Sequence, residues 1–387
     1  MTNRRRCVIT GHKQGRFDRV KAPLFILSEF FDGVRHASAD IDTEVIAMEK
    51  KKDWSALPFA YTPLKSRYEA VYKDGRWFEN GLVTDADVKI SESAAVFQYA
   101  QTCFEGLKAY RTDSGEIVMF RPDLNAKRFQ DSCRRLLIPE ITEEMFIRAV
   151  DMTVRDNAGS VPPYGSGATL YIRPFIIGSS PVLGVAPAKE YIFRVFGSPV
   201  GTYFKGGIKP ITLTVSDYDR AAPRGTGGVK AGINYAMSLY AKGKAHAAGF
   251  AENLYLDPGT RSRVEETGGA NLIFVTKDNK LVTPKSPSIL PSVTRRSVLT
   301  IGRQYLGLEA EEREVYFSEL DDFAECGICG TAAVICPVGA INDHGRIISF
   351  DSGMDEAGPV CRRLYETLTG IQMGRLPAPE GWIHRVM

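Results

Sequence analysis

The chain has 387 residues, and its 49 basic and 46 acidic side chains leave a formal net charge of only +3. This balance excludes the strongly basic surface that typically binds nucleic acid or acidic membranes. A content of 44% hydrophobic and 25% charged residues is typical of a soluble globular protein. No run of 18 apolar residues is present, which argues against a transmembrane helix.

The seven cysteines are odd in number and unevenly spaced. Because no hydrophobic signal-type segment opens the sequence, we expect reduced thiols and a cytoplasmic location. The five histidines are scattered and form no helical pair, so no metal site is expected.

The predicted elements begin after residue 47. Residues 1–47 lack a sustained hydrophobic period and are predicted to be a flexible extension that ends before Met48. Asp74-Gly75 and Asp113-Ser114-Gly115 each lie between apolar runs and predict β-hairpins. Further elements follow from the hydrophobic periods: helices at 94–103, 124–137 and 143–157, and strands at 169–177 and 190–196. This part is predicted to be a small α+β domain, 48–196.

A glycine- and proline-rich stretch, 197–207, is the predicted interdomain linker. Residues 208–387 are predicted to form a larger domain. Its expected strands are 211–215, 254–256, 263–265, 272–275 and 332–341, and its expected helices are 231–248, 294–306 and 359–368. The predicted fold class is therefore α/β or α+β.

Lys230 is the first candidate for chemistry, because it follows a run of glycines and precedes an apolar helix. Glycines let other groups approach closely, and a partly desolvated lysine is a nucleophile for carbonyl groups. A solvated turn lysine is the alternative for this residue in isolation. The segment lacks the Gly-Lys-Ser/Thr ending of a P-loop.

Three further segments could complete a site. Glu266 precedes Gly268-Gly269 and a hydrophobic strand, so its carboxylate could face a cationic ring nitrogen. Val293-Thr294 opens a helix whose free N–H groups could bind phosphate. Gly330-Thr331-Ala332 is a small-residue turn that could present N–H groups to an anion. Each segment taken alone also fits an ordinary hairpin, helix cap or tight turn.

Seven strings from residue 99 onward carry these candidates in a fixed order. They are Tyr99-x-x-x-x-Phe104-Glu105-Gly106-Leu107-Lys108-Ala109, Phe120-Arg121-Pro122 with Asn125 and Arg128, Leu170-Tyr171-Ile172-Arg173-Pro174, Lys230-Ala231-Gly232-x-Asn234-Tyr235, Glu266 with Asn271-Leu272, Leu290-Pro291-x-Val293-Thr294-Arg295, and Gly330-Thr331-Ala332-Ala333. From about Asp53 to its end, the chain resembles the fold-type IV pyridoxal-phosphate enzymes, specifically the branched-chain amino-acid aminotransferases.

The resemblance implies two mixed α/β domains with the cofactor, pyridoxal 5'-phosphate, at their interface. Lys230 would hold the cofactor as a Schiff base, Tyr235 would bond its phenolic oxygen, and Glu266 would pair with its ring nitrogen. The phosphate would be bound by four residues, namely Arg128, Val293, Thr294 and Thr331.

The substrate carboxylate would bind the Thr331-Ala332 turn together with Tyr99. Tyr171 and Arg173 would reach the side-chain pocket from the partner subunit of a homodimer.

The activity implied is transfer of the amino group of L-leucine, L-isoleucine or L-valine to 2-oxoglutarate, giving a branched 2-oxo acid and L-glutamate. Alternatives are a D-amino-acid aminotransferase, an aminodeoxychorismate lyase, or a non-catalytic binding protein on the same scaffold. Cys326 and Cys329 have a spacing that allows a disulfide; we expect reduced packing residues that peroxide could link.

Overall fold

The computed structural model describes residues 53–201, 208–222 and 224–387. The predicted extension 1–47 and residues 202–207 of the predicted linker lie outside these ranges. The described strands are, in chain order, β1 (Arg67–Lys73), β2 (Arg76–Val83), β3 (Thr102–Phe104), β4 (Leu107–Arg111), β5 (Ile117–Phe120), β6 (Thr169–Gly178), β7 (Tyr191–Val200), β8 (Ile211–Val215), β9 (Glu252–Leu256), β10 (Val264–Thr267), β11 (Asn271–Thr276), β12 (Leu281–Pro284), β13 (Ala310–Arg313), β14 (Phe323–Gly330), β15 (Val334–Asp343), β16 (Arg346–Ser349) and β17 (Ile383–Arg385).

The described helices carry the apolar periods seen in the sequence. They are α1 (Ala95–Tyr99), α2 (Pro122–Arg135), α3 (Glu143–Asp156), α4 (Gly232–Ala247), α5 (Val293–Gln304) and α6 (Pro359–Gln372), with 3₁₀ turns at Ala158–Ser160 and Phe317–Asp322. Thr142 caps α3 by accepting a hydrogen bond from the Met145 N–H, and Pro122 occupies the first turn of α2.

The first sheet has eight antiparallel strands in the order β17-β5-β4-β6-β7-β1-β2, with β3 paired to β6. The predicted hairpin around Asp74-Gly75 is present, because both turn residues have the positive φ that a tight hairpin requires (49° and 80°). Helices α2 and α3 pack on this sheet through a buried cluster that includes Phe129, Phe146 and Phe193.

The second sheet has nine strands in the order β10-β9-β8-β15-β14-β11-β12-β13, with β16 paired to β15. Strand β10 also pairs with β11 through Glu266 and Asn271, so six of these strands close into a ring. Strands β8 and β9 are parallel, and the crossover between them contains Lys230 and α4.

The two sheets share one apolar core beside α5 and α6. Tyr110, Val118 and Phe120 from the first sheet lie in the same buried cluster as Ile273 and Ile335 from the second. The described residues form a single unit, and β17 pairs with β5 in the first sheet. The division into two domains therefore stays a prediction, whereas the α/β class is confirmed.

Two predicted elements are wrong in detail. The helix expected at 94–103 ends at Tyr99, because Ala100 adopts a left-handed conformation and β3 then pairs with β6. Residues 197–200, expected in the linker, instead complete β7 against β6. No described helix is long and apolar enough to cross a membrane.

Candidate active site

A cavity of about 390 Å³ lies between the two sheets. It brings together most of the predicted site residues from widely separated parts of the chain. Its lining includes Arg128, Tyr171, Arg173, Lys230, Tyr235, Glu266, Thr331 and Ala332, together with Phe104, Gly106, Arg220, Asn271, Leu290 and Ser292.

Lys230 enters the cavity from the crossover just before α4. Its backbone is fixed on both sides, since its N–H donates to Ser132 Oγ (3.0 Å) and its carbonyl accepts the Phe104 N–H (3.2 Å). The Nζ atom donates to the Tyr235 hydroxyl at 2.8 Å and lies 4.8 Å from the centre of the Phe104 ring. A primary amine is therefore held at a defined place in the cavity.

Glu266 is a buried carboxylate on β10. Its Oε1 accepts hydrogen bonds from the Leu290 N–H (2.9 Å) and forms an ion pair with Arg220 (2.8 Å), while Oε2 accepts from Asn271. Burial raises the pKa of Glu266, and the positive charge of Arg220 opposes that rise. The arrangement presents a hydrogen-bonded carboxylate to the cavity.

Arg128 extends from α2 into the cavity as part of a buried ion pair. Glu105 receives two hydrogen bonds from it, at 2.7 and 2.9 Å, and a third from Asn125 at 2.7 Å. Burial raises the pKa of Glu105, but Arg128 outweighs this effect and holds the pKa below its usual value. The third nitrogen of the Arg128 guanidinium, Nη1, donates to the Pro291 carbonyl at 3.1 Å.

The start of α5 lies beside this arginine. Ser292 is the N-cap of this helix, because its side chain accepts the Arg295 N–H at 3.2 Å. Ser292 and Leu290 line the cavity, whereas Val293 and Thr294 are buried just behind the lining. The first N–H groups of a helix have no intrahelical acceptor, which suits this end of the cavity to an anion.

Tyr171 and Arg173 lie on β6 and line the cavity of the same subunit. The expectation that a partner subunit supplies them is therefore wrong. Arg173 donates to the Tyr171 hydroxyl at 3.2 Å, and its buried Nε has no protein acceptor among the described residues. Gly106 leaves space for this tyrosine, because a Cβ at Gly106 would lie 2.0 Å from the Tyr171 hydroxyl.

Tyr99 does not line the cavity of its own subunit. The helix that carries it ends at once, and its hydroxyl donates to the Leu183 carbonyl instead. Its side chain is 38% exposed. Within one subunit the structure thus separates Tyr99 from the Thr331-Ala332 turn, with which the family resemblance had grouped it.

The cysteine pair near this turn cannot form the bond that its spacing suggests. Cys326 and Cys329 are three residues apart on β14, so their side chains point to opposite faces of the sheet. They accordingly belong to different buried clusters. A disulfide between them would require the strand to unfold, which contradicts the expectation that peroxide could link them. Within the described ranges, no group of three potential metal ligands was found.

The chemistry of the lining fits pyridoxal phosphate. An amine at Lys230 and a hydroxyl at Tyr235 suit the aldehyde side of such a ring, and the Glu266 carboxylate suits a protonated ring nitrogen. Arg128, the first turn of α5 and the Thr331 hydroxyl suit a phosphate.

Three buried residues of this site were missed from the sequence. Glu105 and Lys108 were quoted only as part of a string, although a charge within an apolar run is a usable signal. Arg220 has no local sequence signal, because its partner Glu266 lies 46 positions later and meets it only through the fold.

Comparison with known proteins agrees with this geometry. Residues 102–341 match the family model for amino-transferase class IV. A branched-chain-amino-acid aminotransferase of Haemophilus influenzae is 52% identical over 342 residues, covering 87% of this chain and 99% of that protein. The enzyme of the same name from Helicobacter pylori is 46% identical over 336 residues, covering 86% and 98%.

Solved structures give the same result. The branched-chain amino acid aminotransferase of Escherichia coli superimposes with a TM-score of 0.70 at 27% identity, over 84% of this chain and all of that one. The enzyme of the same name from Thermobaculum terrenum, in its PLP-form, also gives 0.70, at 25% identity over 84% and 100%. The chain therefore belongs to the class IV aminotransferases and, within them, to the branched-chain-amino-acid aminotransferases.

Proposed function

We propose that the protein transfers the amino group of L-leucine, L-isoleucine or L-valine to 2-oxoglutarate, with pyridoxal 5'-phosphate as cofactor. The observation that carries this proposal is the joint presence, in one cavity, of the Lys230 amine held by Tyr235 and the Glu266 carboxylate held by Arg220. The cofactor supplies an electron sink for the charge that develops at the substrate Cα.

The chain's own residues transfer the proton, hold the ring nitrogen and bind the phosphate. Lys230, once free of the cofactor, is the base that takes the Cα proton and returns it, since its Nζ is the amine that the Tyr235 hydroxyl positions. Glu266 must stay ionised to hold a proton on the ring nitrogen, and Arg220 favours that state. Arg128 is proposed to bind the phosphate, with the first turn of α5 and Thr331.

Substrate selection is assigned to the other end of the cavity. The Thr331-Ala332 turn is proposed to bind the α-carboxylate. The apolar rings of Phe59 and Phe104 suit a branched side chain, and Arg173 suits the γ-carboxylate of 2-oxoglutarate.

A homodimer is part of the proposal. Helix α4 exposes an apolar stripe of Ile233, Met237 and Tyr240, which are 38%, 48% and 65% exposed. Contiguous apolar surface of this kind is typical of protein interfaces. In such a dimer, the exposed Tyr99 is proposed to contact the cavity of the neighbouring subunit. Sedimentation velocity tests the dimer.

A cytoplasmic location is also proposed, and the free thiols of the six described cysteines fit a reducing compartment.

The test is formation of glutamate from L-leucine and 2-oxoglutarate by the purified protein. Lys230→Ala should abolish the visible absorption band of the bound cofactor. It should also lower the rate of transamination by about 10²-fold to 10⁴-fold or more. Lys277→Ala, in the exposed turn after β11, is the matched control and should keep both.

Near-normal turnover by Lys230→Ala would refute the assignment of the lysine. Activity with D-leucine and none with L-leucine would favour the D-amino-acid alternative, and cofactor binding without turnover of either would favour a binding protein.

A further inference from the structure

Lys108 on β4 is a buried cation without a carboxylate partner among the described residues. It is 6% exposed, and its Nζ donates one long hydrogen bond, of 3.4 Å, to the Ala332 carbonyl. Four of the five other buried cations, Arg128, Arg194, Arg220 and Arg295, each lie within 3.0 Å of a carboxylate oxygen. The fifth, Arg67, donates to two backbone carbonyls, whereas Lys108 has a single long hydrogen bond. Burial of an unpaired charge is costly, so its retention calls for a compensating anion.

The carbonyl that Lys108 contacts belongs to the turn between β14 and β15. Thr331 and Ala332 of this turn line the cavity. Val334, which follows the turn, has a φ of +60°, and this conformation is unfavourable for a β-branched residue. The surroundings must therefore hold the turn in place, and Lys108 is one of the groups that do so. Its neighbour across the sheet is Tyr171, another residue of the cavity.

We propose that Lys108 is a positioning and specificity-determining residue, which fixes the Ala332 carbonyl and places a positive charge behind the turn that receives the substrate α-carboxylate. This inference rests on the proposed function. A charge in a poorly solvated setting acts strongly on a nearby anion, so the bound carboxylate would supply the counterion that the protein lacks. Burial lowers the pKa of Lys108 to about 8, which is the direction expected of an amine without a counterion.

The test uses the cofactor-loaded protein and two ligands of the same shape and different charge. 4-Methylvalerate carries the carboxylate, whereas 4-methylvaleramide is its neutral counterpart. We expect Lys108→Met to weaken binding of 4-methylvalerate by about ten-fold or more, because the variant removes the positive charge that attracts the carboxylate in this poorly solvated setting. Binding of the amide should change less than about two-fold.

Stability provides a second readout that a merely structural role would not produce. Lys108→Met removes an unpaired buried charge, so the midpoint of urea denaturation of the ligand-free protein should stay equal or rise. Lys108→Arg should recover most of the affinity for 4-methylvalerate. Lys277→Met, in the exposed turn after β11, is the control and should match the wild type with both ligands.

The outcomes distinguish a failure of the proposed function from a failure of the role assigned to Lys108. If the wild type binds neither cofactor nor 4-methylvalerate, the proposed function itself fails. If the wild type binds both and Lys108→Met loses affinity equally for the acid and the amide, or loses none, the role of Lys108 is refuted. A lower denaturation midpoint with unchanged affinity for the acid would also overturn it, because Lys108 would then be structural only.

Discussion

Replacing Glu105 by glutamine should lower the free energy of unfolding more in the cofactor-free protein than in the cofactor-bound protein. Glu105 is fully buried and holds Arg128 through hydrogen bonds of 2.7 and 2.9 Å. Glutamine is nearly isosteric and still accepts one hydrogen bond, but it removes the negative charge. Arg128 then remains buried without its counterion, and it keeps only neutral acceptors, the glutamine oxygen and the Pro291 carbonyl.

The expected loss in the free energy of unfolding follows from the burial of the Glu105–Arg128 pair. Removing one partner of a buried ion pair typically costs about 3–5 kcal/mol, mainly because the other charge is left uncompensated. Since the glutamine oxygen and Asn125 remain, we expect a loss of about 3 kcal/mol in the free energy of unfolding of the cofactor-free protein. If Arg128 binds the cofactor's phosphate, that anion restores the missing charge, and the loss should be smaller when the cofactor is bound.

The assay is urea denaturation of the wild type and Glu105→Gln, each with and without pyridoxal phosphate. Glu69→Gln is the control, because Glu69 pairs with the buried Arg194 at 2.5 Å on the same sheet but outside the cavity. Its loss of stability should be independent of the cofactor. An equal loss for Glu105→Gln with and without cofactor would refute the assignment of Arg128 to the phosphate.

Three further changes test other parts of the site and fold. Glu266→Gln should retain the cofactor but slow turnover by about 10²-fold, since a neutral amide stabilises a protonated ring poorly; a larger kinetic defect for Glu265→Gln would show that the neighbouring acid is the functional one. Arg173→Ala should lower kcat/KM for 2-oxoglutarate about ten-fold more than for leucine, and equal losses would indicate that the arginine only supports the strand. The hydrogen bond from His384 to Asp151 raises the pKa of His384 above 6.5. This hydrogen bond should stabilise the folded state by under about 1 kcal/mol, because the site is partly exposed. The contribution should be present below pH 6.5 and lost as the pH rises through the folded-state pKa of His384. The difference in denaturation midpoint between wild type and His384→Gln should follow that pH dependence, and a constant difference would contradict it.

Local patterns predicted the regular elements well where one signal dominated. Strand β8 has the predicted bounds, 211–215, because a short β-branched run lies between turn residues. Helix α3 matches the prediction to within one residue, since Thr142 and an apolar period mark its start and face. Short strands such as β12 and β13 were not predicted, because they have too few residues to show a period and depend on tertiary pairing.

The site was predictable to the extent that its residues lie in distinctive strings. Lys230, Tyr235 and Glu266 all line the cavity as the family resemblance implied. Arg220 and the Glu105–Arg128 pair required the three-dimensional arrangement, because ion pairing between distant segments leaves no spacing in the sequence. The orientation of Tyr99 could not be derived either, since it depends on where α1 stops.

The pairing of β17 with β5 has a consequence for folding during synthesis. Strand β5 pairs on one side with β4 and on the other with Ile383–Arg385, a strand that follows the whole second sheet in the sequence. This edge of β5 therefore stays unpaired while the second sheet is being translated. A nascent chain that stalls in this interval would expose an unpaired strand edge and be prone to intermolecular pairing. Protection of the first sheet from aggregation thus depends on synthesis of the second.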